Sequence, residues 1–290
     1  MFDPNENREA CEKYLSRSLG GAVKLVHASQ LAQSTRLAPW KLDVTLDGSA
    51  RSYVMQLDAC GMEYEYRVLK AMELVGVPSP RAYGLDLQGE ALGIPCFFSD
   101  FIAGESLLGP MLAGEPWAEP LYFDTICALQ SVTQADLGDL EVEQISAEDV
   151  LETSWDYFKE NPHPLAEVMY TKLKEIQPDL PPVRFSNGDL WLDNFIVQGQ
   201  KLAGVIDFQN AAFSDPIFEF LLSFFVEPKL QGRGIEERFC CRLGYDPVIL
   251  HWYHGLEFFD TWRAVLKYNE PFIHHTAESL EADIKTWLMT

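Results

Sequence analysis

The spacing of hydrophobic residues changes along this chain, and that change restricts the fold class more than any other sequence feature. Over residues 40–46 and 51–57, polar residues alternate with β-branched or aromatic ones, and Asp47-Gly48 between them is a hairpin signal. Over residues 63–75 the spacing becomes helical, and a further strand is predicted over residues 94–102. The first part of the chain is therefore expected to form a small antiparallel β-sheet with one helix.

The rest of the chain is predicted to be mainly helical. A Pro/Gly-rich run follows Ala103-Gly104, and beyond it helical spacing returns over residues 121–131, 148–159, 165–176, 216–226 and 247–268. Ser146 and Asp149 have the spacing of a capping box before the second of these helices. We therefore expect an α+β fold with two lobes, residues 1–103 and 104–290, which suits a chain of 290 residues.

The charge balance and the apolar segments narrow the range of partners. Forty-four acidic residues against 22 basic ones give a net charge of −22, which repels nucleic acid and favours a neutral or cationic partner, although acidity also serves solubility alone. The polar amino terminus lacks the layout of a secretory signal. The most apolar stretch, residues 216–226, is too short for a bilayer span and contains Glu219. We expect a cytoplasmic protein without a membrane partner.

A group of oxygen-bearing side chains interrupts the helical pattern. In the segment from Asn187-Gly188-Asp189 to Asn194, a carboxylate is followed five residues later by an amide. A hairpin is predicted over the next residues, 195–208, and Asp207 lies near its end. Because Asn194 and Asp207 are about equally far from the turn at residues 198–201, they are expected roughly opposite one another. Mg²⁺ prefers such oxygen ligands, and phosphoryl transfer needs a metal and a carboxylate that orients the attacking hydroxyl. The segment therefore predicts a phosphoryl-transfer site.

These motifs resemble those of a known family. The motif Asn187-Gly-Asp-x-x-x-x-Asn194, together with Gly204-Val-Ile-Asp-Phe208 and Ser214-Asp-Pro216, is similar to the catalytic and metal-binding stretch of the aminoglycoside phosphotransferase and choline kinase-like superfamily. The resemblance covers residues 22–226 and is strongest over 187–216. It implies a bilobal, protein-kinase-like fold, with a nucleotide-binding lobe followed by a catalytic and substrate-binding lobe.

The resemblance also implies roles for individual residues. Asp189 would be the catalytic base or hydroxyl orienter, Asn194 and Asp207 would hold Mg²⁺, and ATP or GTP would be the phosphoryl donor. Gln56 and Glu65 match the family's positions for a phosphate-binding strand residue and its helix acid, and the backbone of Ser99, Asp100, Phe101 and Ile102 would meet the adenine. Asn187 and Asp215 would support the loop. Glu257 and Asp260, on a late helix, are candidates to bind substrate amines, although solvated helix faces are commoner.

Three departures from the family pattern concern the loop and the nucleotide. Asn187 replaces the usual histidine, and an amide can still brace the loop because it both donates and accepts hydrogen bonds. Gln56 stands where a lysine or arginine normally reaches the phosphates, and replacing a charged hydrogen bond by a neutral one weakens binding by about tenfold. Residues 27–39, where a phosphate-covering loop is expected, contain no glycine.

Lys41 is a candidate replacement for the missing cation. If residues 47–50 form a four-residue loop, Lys41 lies directly opposite Gln56, and a two-residue loop leaves the two as diagonal neighbours on one face. A three-residue loop would place them on opposite faces of the sheet and end the hypothesis.

Two functions remain compatible with the sequence. The first is an ATP- or GTP-dependent kinase that phosphorylates a hydroxyl of a small molecule, with an aminoglycoside or another amine-bearing sugar as one option. The alternative is a nucleotide-binding pseudokinase or regulatory module, which Gln56, Asn187 and the glycine-free loop would favour. The presence of Asp189, Asn194 and Asp207 favours the enzyme.

Overall fold

The computed structural model describes residues 2–31, 38–57 and 61–290. Within these residues the helices are α1 (Arg8–Leu19), α2 (Met62–Met72), α3 (Leu108–Ala113), α4 (Ala118–Gln130), α5 (Ala147–Glu160), α6 (Pro164–Glu175), α7 (Phe218–Val226), α8 (Ile235–Leu243), α9 (Leu250–Tyr268) and α10 (Ala277–Trp287). The strands are β1 (Val23–Gln30), β2 (Trp40–Leu46), β3 (Ser49–Leu57), β4 (Ala82–Asp86), β5 (Cys96–Asp100), β6 (Glu105–Ser106), β7 (Gln144–Ile145), β8 (Arg184–Ser186), β9 (Phe195–Gln198), β10 (Lys201–Val205) and β11 (Ala212–Ser214). Short 3₁₀ turns cover Leu192–Asn194, Pro228–Leu230 and Pro247–Ile249.

The chain divides into two compact units, each formed by several segments. The first unit comprises Met1–Ser106, Val132–Glu141 and Asn194–Ala211, and the second comprises Leu107–Ser131, Val142–Asp193 and Ala212–Thr290. The contacts therefore group the β9–β10 hairpin with the first unit. The division into lobes 1–103 and 104–290 stays a prediction.

The first unit is built on a five-stranded antiparallel sheet in the order β1-β2-β3-β5-β4. The predicted hairpin is confirmed, and its loop has two residues because Leu46 pairs with Ser49. Asp47 and Gly48 have φ values of 49° and 81°, the left-handed geometry that a tight hairpin turn requires. A second sheet, in the order β10-β9-β6, holds the later hairpin.

Helix α1 covers one face of the five-stranded sheet, and the sequence analysis does not include this helix. Cys11, Tyr14 and Leu15 are its buried residues, and they belong to one core cluster with sheet residues such as Leu42 and Phe98. Nearly all its other residues are polar or charged, so the helical period has too few apolar positions to be recognised in the sequence. Each large side chain buried here contributes about 1.5–3 kcal/mol to stability.

The second unit consists of a three-stranded sheet, β7-β11-β8, and most of the helices. Helix α9 packs against α5, α6, α7 and α10, and its inward side is rich in large buried side chains, namely Trp252, Tyr253, Leu256, Phe259 and Trp262. The five predicted helices are present, and the capping box of α5 is confirmed by reciprocal bonds between Ser146 and Asp149. The predicted helix over 247–268 begins instead with a 3₁₀ turn at Pro247–Ile249.

Among the described residues, no helix has both the length and the apolar composition needed to cross a membrane.

Candidate active site

The loop after β8 carries Asp189, and its backbone is fixed by hydrogen bonds within the second unit. Asn187 is fully buried, and its Nδ2 donates to the carbonyl oxygen of Asp189 at 2.9 Å. The backbone amide of Trp191 donates to Asp189 Oδ1 at 3.3 Å. The Asn187 side chain is therefore hydrogen-bonded to the loop, and its role in supporting that loop stays a prediction.

Two buried hydroxyl groups hold the next residue of this loop. Ser223 Oγ, on α7, donates to the carbonyl oxygen of Leu190 at 3.0 Å, and the Tyr122 hydroxyl, on α4, donates to the same oxygen. Burial raises the pKa of Tyr122, so the phenol stays protonated and remains a donor. Sequence reasoning missed both residues. A lone serine in the otherwise apolar run of α7 is the signal that indicates a buried polar role.

Asp189 lines a cavity of about 250 Å³ within the second unit, and three more carboxylates share its wall. These are Glu219 on α7, and Glu257 and Asp260 on α9. Apolar side chains, including Leu190, Phe218, Leu222 and Phe272, form the rest of the wall. The structure thus brings the predicted base together with both predicted amine-binding residues. The cavity combines negative charge with an apolar surround.

Glu219 lines this cavity, a role that its sequence position alone does not predict. Ser186 Oγ donates to its carboxylate, and the backbone amide of Gly188 donates to Ser186 Oγ at 3.0 Å. Burial raises the pKa of Glu219 to about 7, and the neighbouring Asp189 and Asp215 act in the same direction. A glutamate in the first turn of an apolar helix was the available signal.

The two α9 carboxylates differ in how their charge is compensated. Asp260 accepts hydrogen bonds from Ser154 Oγ at 2.7 Å and from Arg263 Nε and Nη2 at 2.9 and 2.7 Å. Glu257 is 6% exposed, and no hydrogen bond from the described residues contributes to its pKa. Burial, with a smaller contribution from Asp260, raises the pKa of Glu257 to about 8. Burial therefore favours the protonated form of Glu257, and a positive charge beside it would favour the ionised form.

Asp215 lies at the start of α7, away from the wall of this cavity. Its Oδ1 accepts from the backbone amides of Ile217 and Phe218 at 2.9 and 3.0 Å, and its Oδ2 accepts from the Tyr253 hydroxyl at 2.8 Å. Burial raises its pKa, which these three donors oppose. Asp215 thus links the chain between β11 and α7 to Tyr253 on α9, and its role in supporting the loop stays a prediction.

Asn194 and Asp207 lie at the open end of the β9–β10 hairpin in the first unit. The register shifts near Ala203, so Val205 pairs with Phe195, and the amide of Ile206 donates to the carbonyl oxygen of Asn194 at 2.9 Å. Asp207 is the next residue, and its φ of 61° places it in the left-handed region. Asn194 is 8% exposed. The hairpin thus brings the two residues near one another, as the counting of residues from the turn predicts.

This pair fits a magnesium ion in its chemistry. Asn194 offers an amide oxygen and Asp207 a carboxylate, and Mg²⁺ commonly takes one or two protein oxygens and completes its shell with phosphate and water. Within the described parts of the chain, no group of three or more His, Cys, Asp or Glu residues is arranged to hold a metal by itself. Asn194 and Asp207 would leave the other coordination positions of a metal to phosphate and water, and their role as metal ligands stays a prediction.

The opposite face of the five-stranded sheet, away from α1, carries Lys41 and Gln56. Lys41 pairs with Val54, so Gln56 is its diagonal neighbour on the same face, which is the outcome expected of a two-residue loop. Lys41 Nζ lies 3.1 Å from Asp43 Oδ1 and 4.7 Å from the centre of the Phe101 ring. Lys41, Asp43 and Phe101 line an open cavity of about 820 Å³.

Gln56 is 6% exposed, and its Oε1 atom is buried without a hydrogen-bond partner among the described residues. Such an atom costs about 1–3 kcal/mol unless a donor satisfies it. Glu65, the predicted helix acid, is buried in the first turn of α2. Gln56 is thus a neutral group at the position where the family resemblance predicts a cation.

Part of the backbone over residues 99–102 is already hydrogen-bonded within the protein. The amide of Asp100 donates to the Arg81 carbonyl oxygen at 3.0 Å, and the amide of Phe101 donates to the Ser52 carbonyl oxygen at 3.1 Å. An adenine at this segment would therefore have to use the carbonyl groups or the amide of Ile102. The predicted phosphate-covering loop begins as strand β1 up to Gln30, and its residues 32–37 lie outside the described residues.

Comparisons with known proteins bear on the family and the fold. Residues 43–251 match the model of the phosphotransferase enzyme family. No curated protein sequence matches the chain significantly.

Three solved structures illustrate the similarity of fold. One is a protein of Ralstonia eutropha JMP134 provisionally assigned as an aminoglycoside phosphotransferase, with 17% identity, a TM-score of 0.69 and coverage of 97% of this chain and 95% of that one. A thermostable mutant of aminoglycoside phosphotransferase APH(4)-Ia, in a ternary complex with AMP-PNP and hygromycin B, has 16% identity, a TM-score of 0.68 and coverage of 97% and 98%. A choline/ethanolamine kinase family protein from Mesorhizobium loti has 14% identity, a TM-score of 0.63 and coverage of 91% and 88%. These similarities confirm the predicted α+β, protein-kinase-like fold.

Proposed function

The chain belongs to the phosphotransferase enzyme family, and we propose that it transfers the terminal phosphate of ATP or GTP to a hydroxyl of a small, amine-bearing molecule. One observation carries the choice of acceptor. Asp189 shares a 250 Å³ cavity with Glu219, Glu257 and Asp260, and Glu257 has no compensating donor among the described residues. A cationic acceptor would supply the missing positive charge, and aminoglycosides and other amine-bearing sugars are candidates.

In this proposal Asp189 orients the acceptor hydroxyl for attack on the terminal phosphate and accepts its proton. The carboxylate has a fixed position because Asn187, Ser223 and Tyr122 hold the backbone of its loop. A fixed carboxylate costs no reorganisation during the reaction, and positioning is most of what phosphoryl transfer requires. Asp215 keeps the start of α7 in place, and that helix carries Glu219 and Ser223.

The nucleotide is assigned to residues of the first unit. Asn194 and Asp207 would hold Mg²⁺, which neutralises phosphate charge when it is bound. Gln56 would donate its amide N–H groups to a phosphate oxygen, and Lys41 would add a positive charge on the same face. Glu65, as the helix acid, would hold the side chain of Gln56 in place. The backbone from Ser99 through Asp100 and Phe101 to Ile102 would meet the base.

A second function is favoured by a specific observation and is kept as the alternative. Gln56 is neutral where the family resemblance calls for a cation, which would suit a nucleotide-binding pseudokinase or regulatory module without phosphotransfer. The presence of Asp189, Asn194 and Asp207 supports the enzyme. The two functions separate on turnover, because a binding module has no phosphotransfer to lose.

The experiment that tests the nucleotide site is a thermal-shift titration with ATP and with GTP, each with and without Mg²⁺. We compare the wild type with Asp207→Asn, because asparagine tolerates the left-handed backbone at this position better than alanine does. A magnesium-dependent rise in Tm that is lost in the variant would support the site. If neither nucleotide shifts the Tm of the wild type, the kinase proposal is wrong for this chain.

A further inference from the structure

A second, larger cavity of about 590 Å³ lies in the second unit and has no role in the function proposed above. Residues of α7, α8, α9 and α10 form its wall. Much of this wall is apolar or aromatic, with Leu221, Phe224, Phe225, Phe258 and Trp287 as the main contributors. A cavity of this size and lining is typical of a site for a small organic molecule.

Glu257 lies in the wall of both this cavity and the 250 Å³ cavity that contains Asp189. It is therefore a buried carboxylate that both spaces share. Because burial makes ionisation costly, Glu257 favours its protonated form in the empty cavity, and a ligand ammonium group beside it would stabilise the ionised form through a charge-assisted hydrogen bond. The position of Glu257 thus indicates where the amine of a ligand would lie.

The other titratable groups at the larger cavity do not offer Glu257 a counter-charge. His254 Nε2 lies 3.1 Å from Glu236 Oε1, so these two groups satisfy one another. His275 is buried, its Nε2 lies 3.2 Å from the carbonyl oxygen of Phe225, and burial lowers its pKa. His274 and Asp283 also line the cavity. The net character of the cavity remains acidic and apolar.

Two aromatic rings in this wall, Phe225 and His275, form a stack, and the Phe258 ring lies tilted against Phe225. The rings of Phe225 and His275 are parallel within 13° with their centres 4.0 Å apart, and Phe258 lies 5.7 Å from Phe225. Such a surface favours an aromatic or aliphatic group over a polyhydroxylated one, because sugar hydroxyls would lose water without gaining equivalent hydrogen bonds.

We propose that the 590 Å³ cavity binds the apolar arm of the acceptor, whose ammonium group lies at Glu257 and whose hydroxyl reaches Asp189. This inference rests on the proposed function and narrows it to amino alcohols that carry an aryl or branched alkyl group. The amine and the apolar arm are then recognised by different surfaces. Glu257 selects for charge, and the aromatic stack selects for shape.

The test is a calorimetric binding experiment without nucleotide, so that it does not depend on catalysis. The probes are phenylalaninol, which has hydroxyl, amine and aryl groups, its uncharged counterpart 3-phenyl-1-propanol, and ethanolamine, which lacks the arm. We expect the wild type to bind phenylalaninol at least about tenfold more tightly than either of the other two probes. Glu257→Gln should remove about tenfold of that affinity and leave the binding of the uncharged probe unchanged.

A blocking variant tests the cavity itself. Thr286, exposed on α10, lines the cavity, whereas its neighbour Lys285 does not. Thr286→Trp should weaken phenylalaninol binding several-fold, and Lys285→Trp should not. If phenylalaninol binds no better than ethanolamine, or if Glu257→Gln binds it as tightly as the wild type, the inference is wrong.

The outcomes also separate this inference from the proposed function. Glu257-dependent binding of phenylalaninol together with an absence of phosphotransfer to any acceptor would overturn the kinase proposal and keep the ligand site. Phosphotransfer to sugar amines without binding of phenylalaninol would keep the kinase and overturn the apolar arm.

Discussion

Acidic residues in the cavity on the sheet of the first unit and in the Asp189 cavity of the second unit differ in how their charge is compensated, and Asp43 and Glu257 show the difference best. In the first, the Ser52 hydroxyl and Lys41 hold the pKa of Asp43 below its ordinary value, so the acid is satisfied before any ligand arrives. In the second, burial raises the pKa of Glu219 to about 7 and that of Glu257 to about 8. Asp43 is thus compensated within the protein, whereas ionisation of Glu257 carries a cost that a cationic ligand would relieve. Burial also raises the pKa of Asp100, in the wall of the first cavity, so the contrast holds for these two residues and not for the whole cavities.

The largest expected effect follows from the role of Asp189 in the second cavity. Asp189→Asn keeps the size of the side chain but removes the proton acceptor, so kcat for ADP formation with an amine-bearing acceptor should fall by about 10²- to 10⁴-fold. Nucleotide binding, measured by thermal shift, should not change. Steady-state kinetics across a panel of amino alcohols and amino sugars measures the loss.

Asp193→Asn is the matched control for this prediction. Asp193 belongs to the same loop, and its Oδ2 accepts from Trp191 Nε1 at 3.0 Å. Its replacement should change kcat by less than about threefold, because it removes the charge of one exposed hydrogen bond. Equal losses in the two variants would mean that loop structure rather than the Asp189 carboxylate limits the rate.

The second prediction concerns the free-energy cost of ionising Glu257 in the folded protein. Its pKa is raised from an ordinary 4.5 to about 8, so between these values the folded protein binds more protons than the unfolded chain. The free energy of unfolding should therefore fall as pH rises through this window, by up to about 1.4 kcal/mol per pH unit. Glu257→Gln lacks this ionisation, so it should become progressively more stable than the wild type, by at least about 2 kcal/mol at pH 8.5.

Urea denaturation of the wild type and Glu257→Gln at pH 5.5, 7 and 8.5 measures this difference. Glu270→Gln serves as the control because Glu270 is exposed. A constant difference across the pH series would show that Glu257 ionises normally, and the contrast between the two cavities would then lose its basis.

The two regions also differ in how far their sequence predicts them. The hairpin at Asp47-Gly48, the β9–β10 hairpin and the approach of Asn194 to Asp207 depend on local rules of turn type and residue counting, and the structure bears them out. The Asp189 cavity depends on packing between helices that are distant in sequence. Spacing on α9 marks Glu257 and Asp260 as a pair and places Arg263 one turn beyond Asp260, but it does not reveal that Ser154, on α5, also donates to Asp260.

The same reasoning explains the residues that the sequence did not reveal. Tyr122 and Ser223 come from α4 and α7 and meet at the carbonyl oxygen of Leu190, a contact that no local pattern encodes. Helix α1 was missed because it has few apolar residues. These residues form a buried face only because the helix packs against the sheet, which the local sequence does not show. Local geometry was thus predictable, and convergence from distant segments was not.

The third prediction concerns Gln56 in the first unit. Gln56→Lys would restore the cation that the family resemblance expects, so the Kd for Mg-ATP should fall by about tenfold. Gln56→Met is the control, because it keeps the length of the side chain, removes the unpartnered Oε1 atom and adds no charge. Isothermal titration of both variants with Mg-ATP measures the effect. A stable Gln56→Lys variant with unchanged affinity would place the phosphates away from this residue.

The smallest change in Kd for Mg-ATP is expected at Lys41. It tests whether this lysine binds the nucleotide or only compensates Asp43. Lys41 is held by Asp43 and Phe101, so a phosphate group must compete with Asp43 for the ammonium group. Because of this competition, Lys41→Ala should raise the Kd for Mg-ATP by only about three- to tenfold. Lys24 lies on β1 of the same sheet and forms an ion pair with Glu12 of α1. Lys24→Ala should change the Kd for Mg-ATP by less than about twofold. Equal Kd values for the two variants would mean that Lys41 serves the sheet rather than the nucleotide.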